Sequence, residues 1–169
     1  MTRGTAHKVM LLGEIGVGKS SLAQRLLFNR FSKDYKPTIG VEVYKYDVPV
    51  EAADLPMSLI LWDTDGNFGD AIFSHVYIKQ ATAALIVGDA TRPDTLDTMV
   101  KLANGFAEAF PGRSIQFIVN KSDLVTELMK FSLPPGLNSY PLLQTSALSG
   151  QHVETAFLET AKAIRRRGH

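Results

Sequence analysis

Short runs of consecutive apolar residues alternate along this chain with stretches whose apolar positions recur at a helical interval. Val9–Leu12 is one such run; glycines follow it, and then Leu22, Leu26 and Leu27 share one face of a helix. Val41–Val50 and Met57–Trp62 predict two strands joined through Glu51–Pro56. Leu85–Gly88 and Phe117–Val119 carry no polar break, the pattern of central strands buried on both faces. Between them Leu96, Met99, Ala103, Phe106 and Phe110 recur at a period of about 3.6. Thr91, Pro93 and Asp94 are residues that open helices, and Pro111-Gly112 closes this one. Leu142, Leu143 and Thr145 predict a last strand, and Val153, Phe157, Ala161 and Ile164 one face of a C-terminal helix. The alternation predicts an α/β fold, a sheet with helices on both sides. No repeat, linker or low-complexity tract interrupts it, so residues 1–169 are expected to form one domain.

Composition narrows the function classes. With 169 residues, 45% of them hydrophobic, the chain can bury roughly 70% of its unfolded surface and needs no covalent staple. It has no cysteine, so a thiol nucleophile, Cys-ligated zinc and prenyl or palmitoyl anchors are not expected, nor, with Thr2 after Met1, is N-myristoylation. No lipid anchor is therefore expected. The net charge of +1 gives no reason to expect nucleic-acid binding. Val9–Leu12 is too short for a signal-peptide core, and no segment is apolar enough to span a bilayer, so a cytoplasmic setting is expected. Arg165, Arg166 and Arg167 form a basic cluster that suits a helix C-terminus, with weak peripheral contact to an acidic partner or anionic lipid as the alternative.

Gly13-Glu14-Ile15-Gly16-Val17-Gly18-Lys19-Ser20 matches the pattern G-x-x-x-x-G-K-[ST] between a predicted strand and helix. Glycines let backbone N–H groups turn inward around a phosphate chain, the helix N-terminus adds partial positive charge, Lys19 reaches the β/γ-phosphates and the Ser20 hydroxyl is a Mg²⁺ ligand. Gly13, Gly16, Val17, Gly18, Lys19, Ser20 and Ser21 are the candidate phosphate-binding set. Asn120-Lys121-Ser122-Asp123 follows the strand ending at Val119. A carboxylate at Asp123 can accept two N–H groups from the Watson–Crick edge of guanine, where adenine offers one.

These motifs, with Tyr35-Lys36-Pro37-Thr38-Ile39-Gly40-Val41-Glu42, Trp62-Asp63-Thr64-Asp65-Gly66-Asn67 and Thr145-Ser146-Ala147 in that order, resemble the Ras-like small GTPases, most of all the Rab group. The resemblance covers essentially the whole chain. It implies a P-loop NTPase with a six-stranded, mostly parallel sheet containing one antiparallel strand, GTP/GDP and Mg²⁺ as ligands, and GTP hydrolysis. It further implies that Ser20 and Thr38 ligate Mg²⁺ and Asp63 holds a Mg²⁺-bound water, while Thr38 and Gly66 give N–H groups to the γ-phosphate. Phe31 would cover the guanine, Tyr35 would close over the phosphates, the Lys121 stem would pack on the other face of the base, and Asn120, Asp123, Ser146 and Ala147 would complete the base site. Lys19, Gly66, Asp65 and Asn67 are the candidate catalytic residues.

Three departures fall in that centre. Ile15 stands where the family has glycine and should crowd an incoming arginine finger and the water-orienting residue beside the γ-phosphate. Asn67 stands in place of glutamine and reaches about 1.3 Å less far, a misplacement that can cost ~100-fold. Asp65 replaces a small residue, and three roles are open to it: turned into solvent, bound to a Mg²⁺ water, or repelling the γ-phosphate or activating water. Residues 68–79 lack the usual Glu-Arg pattern of Rab switch II, so partner specificity does not transfer. Leu148 stands where lysine is common, in a loop that works through its backbone. The expectation is a slowly hydrolysing switch that presents Ile39, Val41, Val43, Trp62 and Tyr77 to an effector, with an exchange factor and a GTPase activator as further partners. The alternatives are a GTP-bound scaffold that scarcely hydrolyses, and a P-loop ATPase or kinase, against which Asn120 and Asp123 argue.

Overall fold

The structure is a computed structural model and describes residues 3–34, 36–51, 54–125 and 134–168. Its sheet has six strands: β1 (Thr5–Leu12), β2 (Val41–Asp47), β3 (Met57–Thr64), β4 (Ala83–Asp89), β5 (Ser114–Asn120) and β6 (Leu142–Gln144), in the order β2-β3-β1-β4-β5-β6. Only β2 and β3 pair antiparallel; the other neighbours are parallel. This is the expected mostly parallel six-stranded sheet. Among the described residues three α-helices cover it: α1 (Lys19–Phe28), α2 (Pro93–Ala109) and α3 (Val153–Arg166).

The unbroken apolar run of β1 has a simple cause. Val9 and Leu11 face α1 and α3, packing with Leu22, Phe157 and Ile164, while Met10 and Leu12 face α2, packing with Leu96, Met99 and Phe106. A strand covered on both sides cannot alternate polar and apolar residues. The helical face read in α3 is the buried one: Val153, Phe157, Ala161 and Ile164 are all buried. In α2, Pro93 occupies the first turn, where its missing N–H costs nothing. Thr91 does not cap that helix. Its N–H and hydroxyl both go to Asp89 Oδ1, at 2.8 and 2.6 Å.

One region escaped the periodicity. After β3 the chain forms 3₁₀ turns over Gly66–Ser74, kinked at Gly69 (φ 47°), and over Val76–Ile78. Ile72 and Ile78 from these turns are buried on the α2 side. Runs this irregular bury too few positions at any single period to be read in advance.

The topology places the functional region. β1 lies between β3 and β4, so connections leave it in opposite directions, and a crevice opens beyond the carboxyl ends of the strands at that point. The register sets Leu11 beside Asp63 and Asp89 beside Asn120, gathering the ends of β3, β4 and β5 at the same edge as the glycine loop after β1.

Candidate nucleotide-binding site

At that edge lies a cleft of about 730 Å³, lined by Gly16, Gly18, Lys19, Ser20 and Ser21 from the glycine loop and α1 and by Asn120, Lys121, Asp123 and Ala147 from the segments after β5 and β6. That volume accommodates a small organic ligand. Gly18 ends the loop with φ 105° and ψ 25°, and a Cβ there would strike the Asn120 carboxamide, so two independent constraints require glycine.

Five successive carbonyls of the loop each accept from a side-chain donor. Lys19 Nζ donates to Gly13 O (2.8 Å) and Glu14 O (2.9 Å), Arg92 Nη1 to Ile15 O (2.9 Å), Lys121 Nζ to Gly16 O (2.8 Å) and Asn120 Nδ2 to Val17 O (3.0 Å). Because a trans peptide sets its N–H opposite its C=O, carbonyls engaged in this way leave the N–H groups of the same peptides free of them, a loop arrangement that suits an anion. Burial lowers the Lys19 ammonium to about 8, against the pull of Asp63, Asp65 and Glu14, so a phosphate would restore a charge that desolvation penalises.

The candidate metal ligands converge. Ser20 Oγ lies 2.8 Å from Thr38 Oγ1, the Ser20 hydroxyl also donates to Asp63 Oδ2, and Thr38 Oγ1 lies 3.5 Å from the same oxygen. Asp63 is fully buried, its Oδ1 has no hydrogen-bond partner, and burial pushes its carboxyl up to about 6. Two hydroxyls beside a buried, under-compensated carboxylate are oxygen donors that fit Mg²⁺. Among the described residues no cluster of three or more His, Cys, Asp or Glu could hold an ion by itself, so phosphate and water oxygens would complete the shell.

After β5, Asp123 is exposed, and its Oδ1 accepts the Ser146 hydroxyl at 2.8 Å; Ser146 Oγ in turn accepts the Ser149 N–H at 3.0 Å. Ser146 itself is buried and stays behind the cleft. Asn120 is also buried: besides its bond to Val17, its Oδ1 accepts the Thr145 hydroxyl (3.0 Å) and the Ala147 N–H (3.2 Å). Its amide therefore joins three loops, and the Ala147 N–H expected to face a base carbonyl is shared with it. Lys121 adopts a left-handed backbone (φ 64°) and pairs with the buried Asp89 at 2.8 Å. Burial alone would raise the Asp89 carboxyl, yet the Lys121 and Thr91 hydrogen bonds hold it below its ordinary range. Phe31 lines the cleft, together with the exposed Leu124 and Leu148.

Of the candidate catalytic residues, Lys19, Asp65 and Gly66 line the cleft and Asn67 does not. Gly66 lines the cleft, and a Cβ on it would lie 2.7 Å from Glu14 C and 2.8 Å from Ile15 Cα, so the start of the 3₁₀ segment rests directly on the glycine loop. Asp65 caps that segment: its Oδ1 accepts the Asn67 N–H at 2.8 Å. The carboxylate is therefore not simply turned into solvent. Asn67 is exposed and is not among the residues lining the cleft, so the structure does not bring it to the phosphate end. Gly13 and Val17 contribute carbonyls behind the loop rather than a lining surface. Tyr35 lies outside the described residues.

Two arginines were not singled out by sequence reasoning. Arg25 on α1 donates Nε to Ala147 O (2.7 Å), Nη2 to Leu148 O and Nη1 to Asn29 Oδ1 (3.1 Å), fastening the base loop to the helix that begins with Lys19 and Ser20. Arg92 is the second. Neither carries a local signal, since each bonds a carbonyl far away in sequence. Of the C-terminal arginines, Arg165 bonds Leu55 O (2.9 Å) beside Asp54, and Arg167 bonds Gly112 O (3.1 Å), so both act within the chain.

Comparison with known proteins agrees with this geometry. The Ras family profile matches residues 8–166. Ras-related protein Rab-32B of Dictyostelium discoideum is 38% identical over 130 residues, covering 71% of this chain and 48% of that protein. Ras-related protein RIC2 of Oryza sativa subsp. japonica is 33% identical over 165 residues, covering 94% of this chain and 75% of that protein. Ras-related protein Rab-4B of Homo sapiens is 32% identical over 162 residues, with 93% and 75% covered. The chain thus spans about half of the first of these proteins and three quarters of the other two. With the sheet order, the loop after β1 and the profile in agreement, the chain belongs to the Ras family, as a Ras-like small GTPase most similar to the Rab group.

Proposed function

We propose that the chain is a guanine-nucleotide-dependent switch that binds Mg²⁺-GTP or Mg²⁺-GDP in this cleft, hydrolyses GTP slowly and presents the flanking loops to an effector. The observation that carries the reading is one cleft with Lys19 and Ser20 at one end and the exposed Asp123 carboxylate at the other. A carboxylate held by a single hydroxyl, from Ser146, keeps acceptor capacity for the two N–H groups of guanine. Phe31, Leu124 and Leu148 supply apolar surface around a base.

At the other end Lys19 and the inward N–H groups would bind the polyphosphate, and Ser20 and Thr38, backed by Asp63, would hold the metal. Bound Mg²⁺ would neutralise phosphate charge as it develops. Thr38 reaches the site from before β2, and Gly66 from after β3. Loss of a γ-phosphate removes the contact common to both loops and releases them. Beside them Ile39 and Val43 are exposed, and the Trp62 and Tyr77 rings lie 6.4 Å apart with Lys8 Nζ 3.7 Å from the Trp62 ring, an apolar patch suited to a protein effector. An exchange factor and a GTPase activator would act on the same loops.

Slow hydrolysis follows from Ile15 in the cleft and Asn67 outside it. The same two observations favour a second reading, a GTP-loaded binding module that scarcely turns over. Identification of the nucleotide that co-purifies, competition of ATP against GTP, and single-turnover hydrolysis by the parent, Ile15→Gly, Asn67→Gln, the double variant and Asp65→Ala test both readings. Guanine-selective binding with turnover below the roughly 4 × 10⁻⁴ s⁻¹ of unassisted Ras is expected. Each single change should give a small gain and the double more than their product, since both act on one attacking water. A fast parent that collapses without Asp65 would make Asp65 catalytic and overturn the slow-switch reading.

A further inference from the structure

Of the cationic donors that draw the loop carbonyls outward, Lys19 and Lys121 belong to nucleotide motifs and Arg92 does not. Arg92 stands between β4 and α2, with its backbone pinned at both ends: its N–H donates to Asp89 O (3.0 Å), and its carbonyl accepts the Thr95 N–H (3.0 Å) and hydroxyl (2.7 Å). The side chain is thus launched from a fixed point, and its Nη1 meets Ile15 O at 2.9 Å, across 77 positions of sequence. Its side chain caps nothing on α2.

We infer that Arg92 is a positioning residue for the phosphate site, acting through the peptide between Ile15 and Gly16. By holding the Ile15 carbonyl outward it aims the Gly16 N–H into the cleft that both residues line. A cation on the carbonyl also polarises the peptide and strengthens its N–H as a donor to a phosphate oxygen. This contact completes a loop whose other carbonyls are held by Lys19, Lys121 and Asn120, and fixes the one peptide that follows the branched Ile15. The inference rests on the proposed nucleotide site and assigns that site a residue outside its motifs.

The test uses GDP-loaded protein and two readouts, the proton chemical shift of the Gly16 amide and the GDP dissociation rate, for the parent, Arg92→Ala, Arg92→Gln and Arg92→Lys. In Arg92→Ala the Gly16 amide should move upfield and GDP should leave about tenfold faster, the scale of one charge-assisted hydrogen bond at a partly exposed site. Arg92→Lys should restore part of both, and Arg92→Gln, a donor without charge, should fall between. The amides of residues 94–96 report whether α2 stays intact. A faster rate with an unmoved Gly16 amide would mean charge acting through space and would overturn the relay. A moved amide with an unchanged rate would overturn the role in nucleotide retention, and no change in either would remove Arg92 from the site. A parent that fails to bind GDP at all would instead refute the functional reading and this inference with it.

Discussion

Asn120→Ala is expected to destabilise the nucleotide-free protein by about 3–4 kcal/mol, more than loss of a surface amide could. Asn120 is 2% exposed, and its partners Val17, Thr145 and Ala147 are 0%, 0% and 3% exposed. Truncation removes three hydrogen bonds of 3.0–3.2 Å and leaves a carbonyl, a hydroxyl and an N–H without them. Each buried orphan costs about 1–3 kcal/mol. The Thr145 hydroxyl can rotate and water can enter the vacated space, which brings the sum down to the stated figure. A domain has about 5–15 kcal/mol in all, so the variant should fold but melt early. At about 2 kcal/mol per molar urea, the midpoint should fall by about 1.5–2 M. Nucleotide must be absent, because ligand binding would mask the difference. Asn120→Asp sharpens the test: it preserves volume and both accepted bonds but sets a carboxylate oxygen against the Val17 carbonyl, so a comparable loss is expected. A loss under 1 kcal/mol for the alanine variant, or an aspartate variant as stable as the parent, would refute the view that this amide joins the three loops.

Gly66→Ala should separate the 3₁₀ segment from the glycine loop, since the new methyl meets only backbone there; an overpacking cost of about 1–3 kcal/mol and increased amide exchange at residues 66–69 are expected. Arg25→Ala should speed GDP release by roughly tenfold, measured with a fluorescent analogue, because Ala147 and Leu148 lose their fastening to α1; an unchanged rate would make the contact purely structural. Asp89 has its carboxyl pK held below the ordinary 3.8, so its ionised form favours the fold above that pH, and the benefit fades as pH falls through the lower folded value. Asp89→Asn should therefore cost about 1–2 kcal/mol at pH 7, discounted because Lys121 is one third exposed, and progressively less as pH is lowered below 3.8, by urea titration of the nucleotide-free protein.

The order of strands and helices was legible in the chain because burial on two faces writes itself into local sequence: Val9–Leu12 and Leu85–Gly88 stay apolar throughout, and α3 shows its buried face at helical spacing. The phosphate loop was legible for a similar reason, since its glycines and lysine act within eight consecutive residues. The 3₁₀ segment after β3 was not, because it has no single period. Tertiary structure alone decided that Asn120 serves the protein's own loops, that Asp65 caps a turn, and that Asn67 is not among the residues lining the cleft. It also decided that Arg25 and Arg92 belong to the site, through carbonyls 122 and 77 positions away. Every residue carries a carbonyl, so the partner of such an arginine leaves no mark of its own in the sequence; only the crossing of strands and helices at one sheet edge selects which carbonyl it meets.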